Sequence, residues 1–378
     1  MTLKLFYIKN FIFLFFLFFT SKNIFSLNTS NAKGSNTVYA LSAIEYYNIN
    51  SEVWGWVNYN AGFYILPNTT LKLGIVPHVK GGNVILDNIA TIELLADLHL
   101  SSSSSNDISI NGVANLKGNK GALFLHGDAI LPASSSLYIL NDTIIDGQSN
   151  SVFLDSGFQF IVDSSATLTL RNLCLKNLHG QASTSGGIVL TDETSSLALQ
   201  NVKVDINGSY TFDVGSLFIH EDVLFTGSVH GDVICTDSIP RYFVHSSDDA
   251  LQAYLRICDD STLYFDSGIN FVYDHQSSIG NECRQQLIMT DTSSTLYLNG
   301  STLSVPAYSN YSGLELWLGK LILENRVTFS NYSAVNGWPN TQEAKGITFG
   351  RPPEDLNVFA LSGCRIDIHG SLNYYNYY

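Results

Sequence analysis

The stretch Ser165-Ala166-Thr167-Leu168-Thr169-Leu170-Arg171-Asn172-Leu173 contains the most regular copy of a pattern that recurs along this chain. A small polar residue is followed by leucines at alternate positions, which is the two-residue period of a strand with one buried face. The element recurs along the chain, and the first leucines of its copies are Leu71, Leu137, Leu168, Leu197, Leu217, Leu263, Leu296 and Leu321, with a degenerate copy at 364–368. From Leu137 onward these copies follow one another at steps within the roughly 20–50 residues of solenoid repeats. The longest step, from Leu217 to Leu263, is interpreted as two repeats.

The repeats predict an all-β fold, a right-handed single-stranded parallel β-helix. In such a solenoid each coil places its strand on the equivalent strand of the coil below, so that only the stack buries the inner face. Turn-forming residues separate the strands, at 80–83, 101–105, 146–147 and 185–187. About 340 residues at about 20–30 per coil give on the order of a dozen coils.

The N-terminus has the layout of a secretory signal peptide. Lys4 and Lys9 precede an unbroken apolar run from Phe11 to Phe19, and Ser26 offers a small residue for cleavage. A membrane helix needs about 20 apolar residues, so cleavage is favoured over the alternative, a retained anchor. The sequence therefore predicts a signal peptide at 1–26 and a secreted, periplasmic or cell-surface protein with no membrane span after cleavage.

The segment 27–64 is predicted to be an N-terminal segment and cap, followed by the parallel β-helix at 65–378. An aromatic cluster supports the cap, because apolar bulk would cover the first open coil. Its alternative interpretation is a platform that binds sugar rings. The cluster consists of Tyr46, Tyr47, Trp54, Trp56, Tyr59, Phe63 and Tyr64.

The charge of the chain excludes classes of partner. The 378 residues carry 19 Lys and Arg against 33 Asp and Glu, a formal net charge of −14, and without residues 1–26 the balance is 16 − 33 = −17. An acidic surface without a basic cluster repels nucleic acid and anionic lipid. We expect no nucleic-acid partner.

Five cysteines form no disulfide framework, because the set is odd and sparse. The separations of Cys235, Cys258 and Cys283 are each close to one repeat. Residues one coil apart and in phase have Cα atoms about 5 Å apart, which a disulfide can bridge. A bond between Cys258 and Cys283, or between Cys235 and Cys258, therefore stands beside the alternative of a reduced stack of small side chains.

The stretch Asp142-Thr143-Ile144-Ile145-Asp146-Gly147, with 157–162 and 165–173 after it, resembles a unit common in exported bacterial β-helix proteins. In those proteins a strand with T-I-D-G is followed by a turn, a buried strand and an A-T-L-T-L-x-N strand. The chain from about 65 to 370 resembles uncharacterised families of this kind, with pectate-lyase-like and autotransporter-passenger-like architecture. The resemblance implies the solenoid and no particular activity.

Acidic pairs and scattered histidines are the candidates for polygalacturonase-like chemistry. The pairs are Asp248-Asp249 and Asp259-Asp260, and His-Gly pairs occur at His126, His179, His230 and His369. The N-T-D and R-I-K elements of that family are missing, and acidic pairs in loops are usually solvated turns. For a lyase, Arg171, Arg241, Arg256 and Arg284 are candidates by type alone. We assign no catalytic residue, no metal site and no cofactor.

The sequence predicts a secreted or cell-surface β-helix with a structural or binding, adhesin-like role, presenting its outer face to a surface glycan or a protein. The alternative is a carbohydrate-active enzyme, a polysaccharide lyase or a polygalacturonase-like glycosidase, with its cleft on one parallel sheet and acids near Asp248 to Asp260. A purely architectural envelope component is the third hypothesis.

Overall fold

The structure is a computed structural model, and its described residues form β-strands and turns with no helix. It describes residues 36–40, 44–45, 61–65, 67–68, 70–73, 78–80, 84–101, 106–227, 241–248, 251–275, 286–305, 313–330, 347–350, 355–370 and 372–374. The predicted signal peptide at 1–26 lies outside these residues. None of the described segments is a helix long and apolar enough to cross a membrane.

In the described residues, the first half of the chain contributes seventeen strands in the order β1 to β17. They are Asn36–Ala40, Ile44–Glu45, Ala61–Ile65, Thr70–Leu73, His78–Lys80, Val84–Leu86, Ala90–Leu94, Leu98–Ser101, Asn106–Ile110, Val113–Lys117, Ala122–Leu125, Ala129–Leu131, Ser136–Ile139, Thr143–Leu154, Gln159–Val162, Thr167–Gln181 and Ser185–Gly186.

The second half contributes β18 to β34. They are Ile188–Leu190, Ser196–Phe212, Gly215–Thr226, Arg241–Ser247, Ala253–Ile257, Thr262–Phe265, Ile269–His275, Leu287–Met289, Thr295–Asn299, Thr302–Ser304, Glu315–Leu316, Gly319–Glu324, Arg326–Ser330, Ile347–Phe349, Leu356–Ala360, Arg365–His369 and Leu372–Tyr374.

The strands pair in parallel in a large sheet that curls round an axis. Twenty-four strands form this sheet, β2, β4, β7, β10, β13, β15 and β18 form a seven-stranded sheet, and β28, β31 and β34 form a third. Among the described pairings, only β16 with β17 is antiparallel. The all-β, parallel part of the prediction is confirmed, and the architecture is compatible with a β-helix.

Three successive strands show how one layer of chain sits on the next. Leu168 of β16 pairs with Leu197 of β19, and Leu197 pairs with Leu217 of β20. Neighbouring strands lie about 4.8 Å apart, so the three side chains form one column. All three are buried. The repeated leucines of this region therefore stack in the core, as the sequence pattern predicts.

The repeated element does not mark a single position round the axis, however. Leu71 in β4 and Leu137 in β13 belong to the seven-stranded sheet, whereas Leu168 belongs to the large sheet. A small polar residue followed by alternating leucines is the start of an inward-facing strand on any face. The element therefore predicts where a strand begins, but it does not predict which strands pair with each other.

The long step between Leu217 and Leu263 is not two repeats. Leu217 pairs with Leu255 in β22, and Leu263 in β23 pairs with Val223, further along the same β20. The long strand β20 thus pairs first with β22 and then with β23. Where β20 bends without a break, the next layer has a turn between its two strands. Layer length varies, and spacing alone misaligns the repeats.

The core of the described residues consists of apolar side chains on the inner faces of the stacked strands. Four phenylalanines, Phe225, Phe243, Phe265 and Phe271, are fully buried, with ring centroids 4.6 Å apart for Phe225 and Phe243 and 4.6 Å apart for Phe265 and Phe271. Burying one such ring stabilises a fold by about 1.5–3 kcal/mol. Outward positions of the same strands are polar or half-buried, which gives the alternating pattern seen in the sequence.

Asparagines allow the chain to turn sharply between faces. Asn172 and Asn201 have φ of 51° and 52°, in the left-handed region that Asn tolerates better than most residues. The two lie on successive layers, and the Nδ2 of Asn201 donates to the Oδ1 of Asn172 at 3.0 Å. Each corner is thus tied to the next one.

The T-I-D-G stretch forms another such corner. The buried Asp146 accepts hydrogen bonds from Arg171 Nε (2.5 Å), Gln148 N (3.0 Å) and Gln148 Nε2 (2.8 Å). A Cβ on Gly147 would lie 2.4 Å from the Cβ of Leu173, so only glycine allows the two layers to approach here. Burial alone would raise the pKa of Asp146, but the bonds from Gln148 and Arg171 outweigh it and lower the pKa below its ordinary value.

The segment predicted as a cap contains strands of the large sheet. β1 pairs in parallel with β3, and β3 pairs in parallel with β6. Residues 46–60, which hold most of the aromatic cluster, lie outside the described residues. The cap assignment and the boundary at residue 65 stay predictions.

Replacing a core ring tests the inner face. Phe265→Ala should lower the free energy of unfolding by about 3–5 kcal/mol, because it removes the transfer energy of a buried ring and leaves a cavity. Ile130→Ala is the control, since that side chain is 48% exposed on β12. Urea denaturation followed by far-UV circular dichroism measures both. Similar midpoints for the two variants would contradict the described core.

Replacing Asp146 tests the corner and its pH dependence. Asp146→Asn should lose about 1.5–3 kcal/mol of stability at pH 7, because it removes the charged acceptor of the hydrogen bonds from Gln148 and Arg171. A carboxyl with a lowered folded pKa contributes stability that is present above its unfolded pKa and is lost as the pH falls through the folded pKa. The gap between wild type and variant should therefore close between about pH 5 and pH 2.

The measurement is the urea midpoint at a series of pH values. Glu193→Gln is the matched control, because Glu193 is exposed. A gap that stays constant down to the lowest pH would show that the Asp146 charge does not stabilise the corner.

Candidate functional site

An open groove of about 560 Å³ crosses the outer face of β19, β20, β23, β26 and β29. Its volume falls within the roughly 300–1,000 Å³ of small-molecule sites. Five parallel strands about 4.8 Å apart make it about 19 Å long. The lining residues are Asn201, Val202, Lys203, Asp222, Leu224, Tyr264, Asp266, Tyr297, Asn299 and Glu324.

Strand alternation puts the polar side chains on this face. In β23, Leu263 and Phe265 are buried in the core, so Tyr264 between them points outward. β26 and β29 repeat the pattern in register, since Leu298 pairs with both Phe265 and Leu323. The register that aligns the buried side chains therefore also aligns the outward side chains that line the groove.

Two tyrosines form the aromatic part of the groove. Tyr264 and Tyr297 are register partners one layer apart, with ring centroids 4.9 Å apart and planes inclined by 35°. Leu224 precedes them in the same column and Ile322 follows, so the rings extend an apolar strip along the groove. An apolar strip of this kind suits the C–H faces of a bound molecule.

A polar column runs beside the tyrosines. Asn299 donates from Nδ2 to Asp266 Oδ1 at 3.1 Å, and Asn299 pairs in register with Glu324. Asn325 donates from Nδ2 to the Oδ1 of Asn299 at 2.6 Å. Amides thus fix the carboxylate of Asp266 and the orientation of Asn299. Two layers separate Asp266 from Glu324, a backbone distance of about 10 Å.

Tyr297 links the aromatic strip to the polar column. Its hydroxyl donates to Glu324 Oε2 at 2.7 Å. Burial, then the hydrogen bond to Glu324, and then the negative charge of that carboxylate raise the pKa of Tyr297 to about 12. At neutral pH the hydroxyl is a donor held on the glutamate, and the ring position is fixed by this bond.

The groove is net negative. It contains the carboxylates of Asp222, Asp266 and Glu324 against the single ammonium of Lys203. Such a site attracts hydroxyl and ammonium donors and repels anions. Among the described residues, no three His, Cys, Asp or Glu side chains are grouped so that they could hold a metal ion.

The acids singled out from the sequence lie elsewhere. Asp248 Oδ1 accepts from Leu251 N at 2.6 Å, and Asp259 Oδ1 accepts from Thr290 Oγ1 at 2.7 Å. Asp260 has φ of 51° and donates its N–H to Ser293 Oγ at 2.7 Å. Asp249 lies outside the described residues.

These acids serve turns at opposite ends of β22, a strand of five residues. At about 3.3 Å per residue, that strand alone separates the two turns by about 17 Å. Asp248 is thus too far from Asp259 and Asp260 to flank one glycosidic bond with them.

The candidate arginines are engaged in structure. Arg171 pairs with Asp146, and Arg241 donates to Ile206 O at 2.5 Å with Asp205 at 3.7 Å. Arg256 lies over the rings of Phe218 and Tyr254, at 5.7 and 5.8 Å from their centroids. Arg284 lies outside the described residues.

Cys258 follows β22, whose last residue Ile257 pairs with Ile219 and with Met289. The repeat at this point therefore runs from Ile257 to Met289, which is longer than the step from Cys258 to Cys283. Cys258 Sγ lies 3.9 Å from His220 Nε2, and burial raises the pKa of this thiol. Cys235 and Cys283 lie outside the described residues, so the Cys258–Cys283 disulfide stays a prediction.

The histidines of the His-Gly pairs are dispersed. His179 Nδ1 contacts Asn177 O at 2.8 Å, and His369 is exposed on β33. His126 contacts His99 of β8. His230 lies outside the described residues.

Comparison with protein-family models, with curated proteins and with solved structures gave no significant match to this chain. Functional inference therefore depends on the groove and its residues.

The groove residues were not singled out from the sequence. Tyr264 and Tyr297 are far apart along the chain, as are Asp266, Asn299 and Glu324. The available signal was the similarity of the aligned segments Thr262–Phe265 and Thr295–Leu298, both of which carry tyrosine at the same outward position. This similarity identifies a site only when the register shows that the two segments are neighbouring strands.

Removing the Glu324 charge should change the titration of Tyr297. Glu324→Gln is expected to lower the Tyr297 pKa from about 12 toward its ordinary value of about 10, because the carboxylate acceptor and its charge are lost while burial remains. Absorbance at 295 nm, recorded against pH with and without Tyr297→Phe, isolates this group among 20 tyrosines. Identical difference curves for wild type and Glu324→Gln would contradict the hydrogen bond.

Proposed function

We propose that this chain is an exported, right-handed, single-stranded parallel β-helix of about a dozen coils that binds glycan in the groove between Asn201 and Glu324. It acts as a structural or binding protein of the secreted or cell-surface type. The parallel pairing and the curled sheet support the β-helix, and the N-terminal apolar run supports export. The observation that carries the binding role is the joint placement of an aromatic strip and a polar column along one outer face.

A sugar chain offers two kinds of surface, apolar C–H faces and hydroxyl edges. The ring pair Tyr264 and Tyr297 suits the first, and the oxygens of Asp266, Asn299 and Glu324 accept hydrogen bonds from the second. Tyr264 and Tyr297 lie on successive layers about 4.8 Å apart, and this repeated pair suits a chain of linked sugar rings. A groove about 19 Å long contacts several sugar rings at once.

The charge of the groove points to neutral glycans. Asp222, Asp266 and Glu324 outnumber Lys203 by three to one, so the carboxylates of a polyuronate would meet like charges. This disfavours the substrates of pectate lyases and polygalacturonases, which were the alternative from the sequence. Hydroxyl-rich neutral chains meet acceptors without such a cost.

A glycosidase is the second candidate, because Asp266 and Glu324 are two layers apart on one face. Inverting glycosidases hold their carboxyl groups about 6.5–9.5 Å apart. Asp266 accepts a hydrogen bond from Asn299 and Glu324 accepts one from Tyr297, so both carboxyl groups are already engaged within the protein. Binding without turnover therefore ranks first.

Glycan binding tests the proposal directly. The chain is applied to an array of neutral oligosaccharides, with oligogalacturonate as the anionic comparison, and the best ligand is titrated by calorimetry. Tyr264→Ala and Asp266→Asn should each weaken binding at least tenfold, equivalent to about 1.4 kcal/mol. Tyr138→Ala is the matched control, since Tyr138 is an outward tyrosine of β13, which belongs to the seven-stranded sheet and does not line the groove. Equal affinity of Tyr264→Ala and wild type would overturn the assignment of the groove.

Incubating the same ligand with the chain separates the two candidates. Recovery of intact oligosaccharide supports a binding protein. Release of reducing ends that disappears in Asp266→Asn would show a glycosidase.

A further inference from the structure

Two imidazoles from successive layers meet on the outer face, far along the chain from the groove. His99 belongs to β8, and His126 directly follows β11. His99 Nδ1 lies 2.8 Å from His126 Nε2. The two histidines come from different layers, so no local zinc-type spacing reveals them.

The backbone brings the two side chains together. Phe124 pairs in register with His99, and His126 is the next outward position after Phe124. The N–H of His126 donates to Leu100 O at 2.8 Å, which continues the ladder one residue past β11. His126 therefore stays bound to the strand that carries His99.

Ring stacking limits the rotamers of both histidines. The Phe124 ring lies flat on His99, with centroids 4.6 Å apart and planes inclined by 8°. His99 and His126 stack at 5.1 Å and 17°. Side chains that are already held in place lose little conformational entropy when they bind a ligand.

The separation of the two nitrogens selects a type of ligand. Neutral imidazole is the commonest protein ligand of late first-row metal ions. Two nitrogens bound at about 2.0–2.1 Å lie about 2.9 Å apart at a right angle and about 3.4 Å apart at a tetrahedral angle. The observed 2.8 Å is the length of a hydrogen bond between the rings and lies near the right-angle value, so a small rotation of the side chains turns both nitrogens toward one ion in the tetragonal coordination typical of Cu²⁺ and Ni²⁺.

We propose that His99 and His126 form a surface chelate for a tetragonal divalent transition-metal ion, with Cu²⁺ bound most tightly. The two nitrogens occupy neighbouring positions in the coordination plane and water supplies other ligands. The N–H now between the rings is released to solvent, and that ring takes up a proton on its other nitrogen, so each imidazole stays neutral.

This site is independent of glycan binding, because none of its residues lines the groove. Cu²⁺ is preferred over Zn²⁺ for two reasons. The affinity order of divalent ions places Cu²⁺ above Zn²⁺ for nitrogen sites, and tetrahedral Zn²⁺ would need the nitrogens to move apart by about 0.6 Å.

The test is a titration of the purified full chain with Cu²⁺, followed by electron paramagnetic resonance. Wild type should give a tetragonal spectrum with coupling to two nitrogens, and Zn²⁺ should compete only weakly. His126→Gln should lower Cu²⁺ affinity at least tenfold and leave coupling to fewer nitrogens, because a chelate becomes a single ligand. His126 is exposed, so this variant should keep the urea midpoint of wild type.

Two further variants complete the design. His99→Gln should reproduce the loss, and His369→Gln, an exposed histidine on β33, should leave affinity and spectrum unchanged. Unchanged Cu²⁺ affinity and nitrogen coupling in His126→Gln would overturn the site. So would an equal loss in His369→Gln, since that result would show general binding by surface histidines.

Discussion

Parallel register between successive layers is the constraint on which the rest of this structure depends. A single short strand cannot bury its own inner face, and Leu197 is buried only because Leu168 and Leu217 lie on either side of it. The same hydrogen bonds that stack the inner side chains also stack the outer ones at about 4.8 Å. The packing of the core and the arrangement of the surface side chains therefore depend on the same register.

The corners explain how layers of unequal length keep this register. A coil can gain residues where it turns, provided that the strands on both sides return to the ladder. Asparagine at positive φ, as at Asn172 and Asn201, makes the turn without a long loop, and its amide bonds to the equivalent corner. At Asp146 an ion pair between the buried carboxylate and the partly exposed Arg171 holds the corner, and Gly147 allows the two layers to approach closely. Variation in length is thus taken up in the turns, as between β22 and β23, while the strands on either side stay in register.

Sequence reasoning predicted the strands well and their partners poorly. Alternation identifies Thr262–Phe265 and Thr295–Asn299 as strands because burial of every second residue is a local property. Register is not local. Leu217 pairs with Leu255 rather than Leu263, and Leu71 belongs to a different sheet from Leu168, although Leu71, Leu168, Leu217 and Leu263 carry the same short pattern. For the same reason the sequence suggests the adjacent acids at Asp248 and Asp259 as candidate catalytic residues. It gives no sign that Tyr264 and Tyr297 lie side by side, because that contact depends on the register.

Function on a solenoid depends on outward columns, and a column is invisible until the register is known. Tyr264 and Tyr297 are distant in the chain and in contact, and His99 and His126 are distant in the chain and share a hydrogen bond. The two separations along the chain differ, because each equals the local path between layers. A fixed-spacing motif therefore cannot describe a site of this kind. What selection can hold constant is the type of side chain at one outward position of neighbouring layers, and the inward leucines and phenylalanines keep those positions aligned.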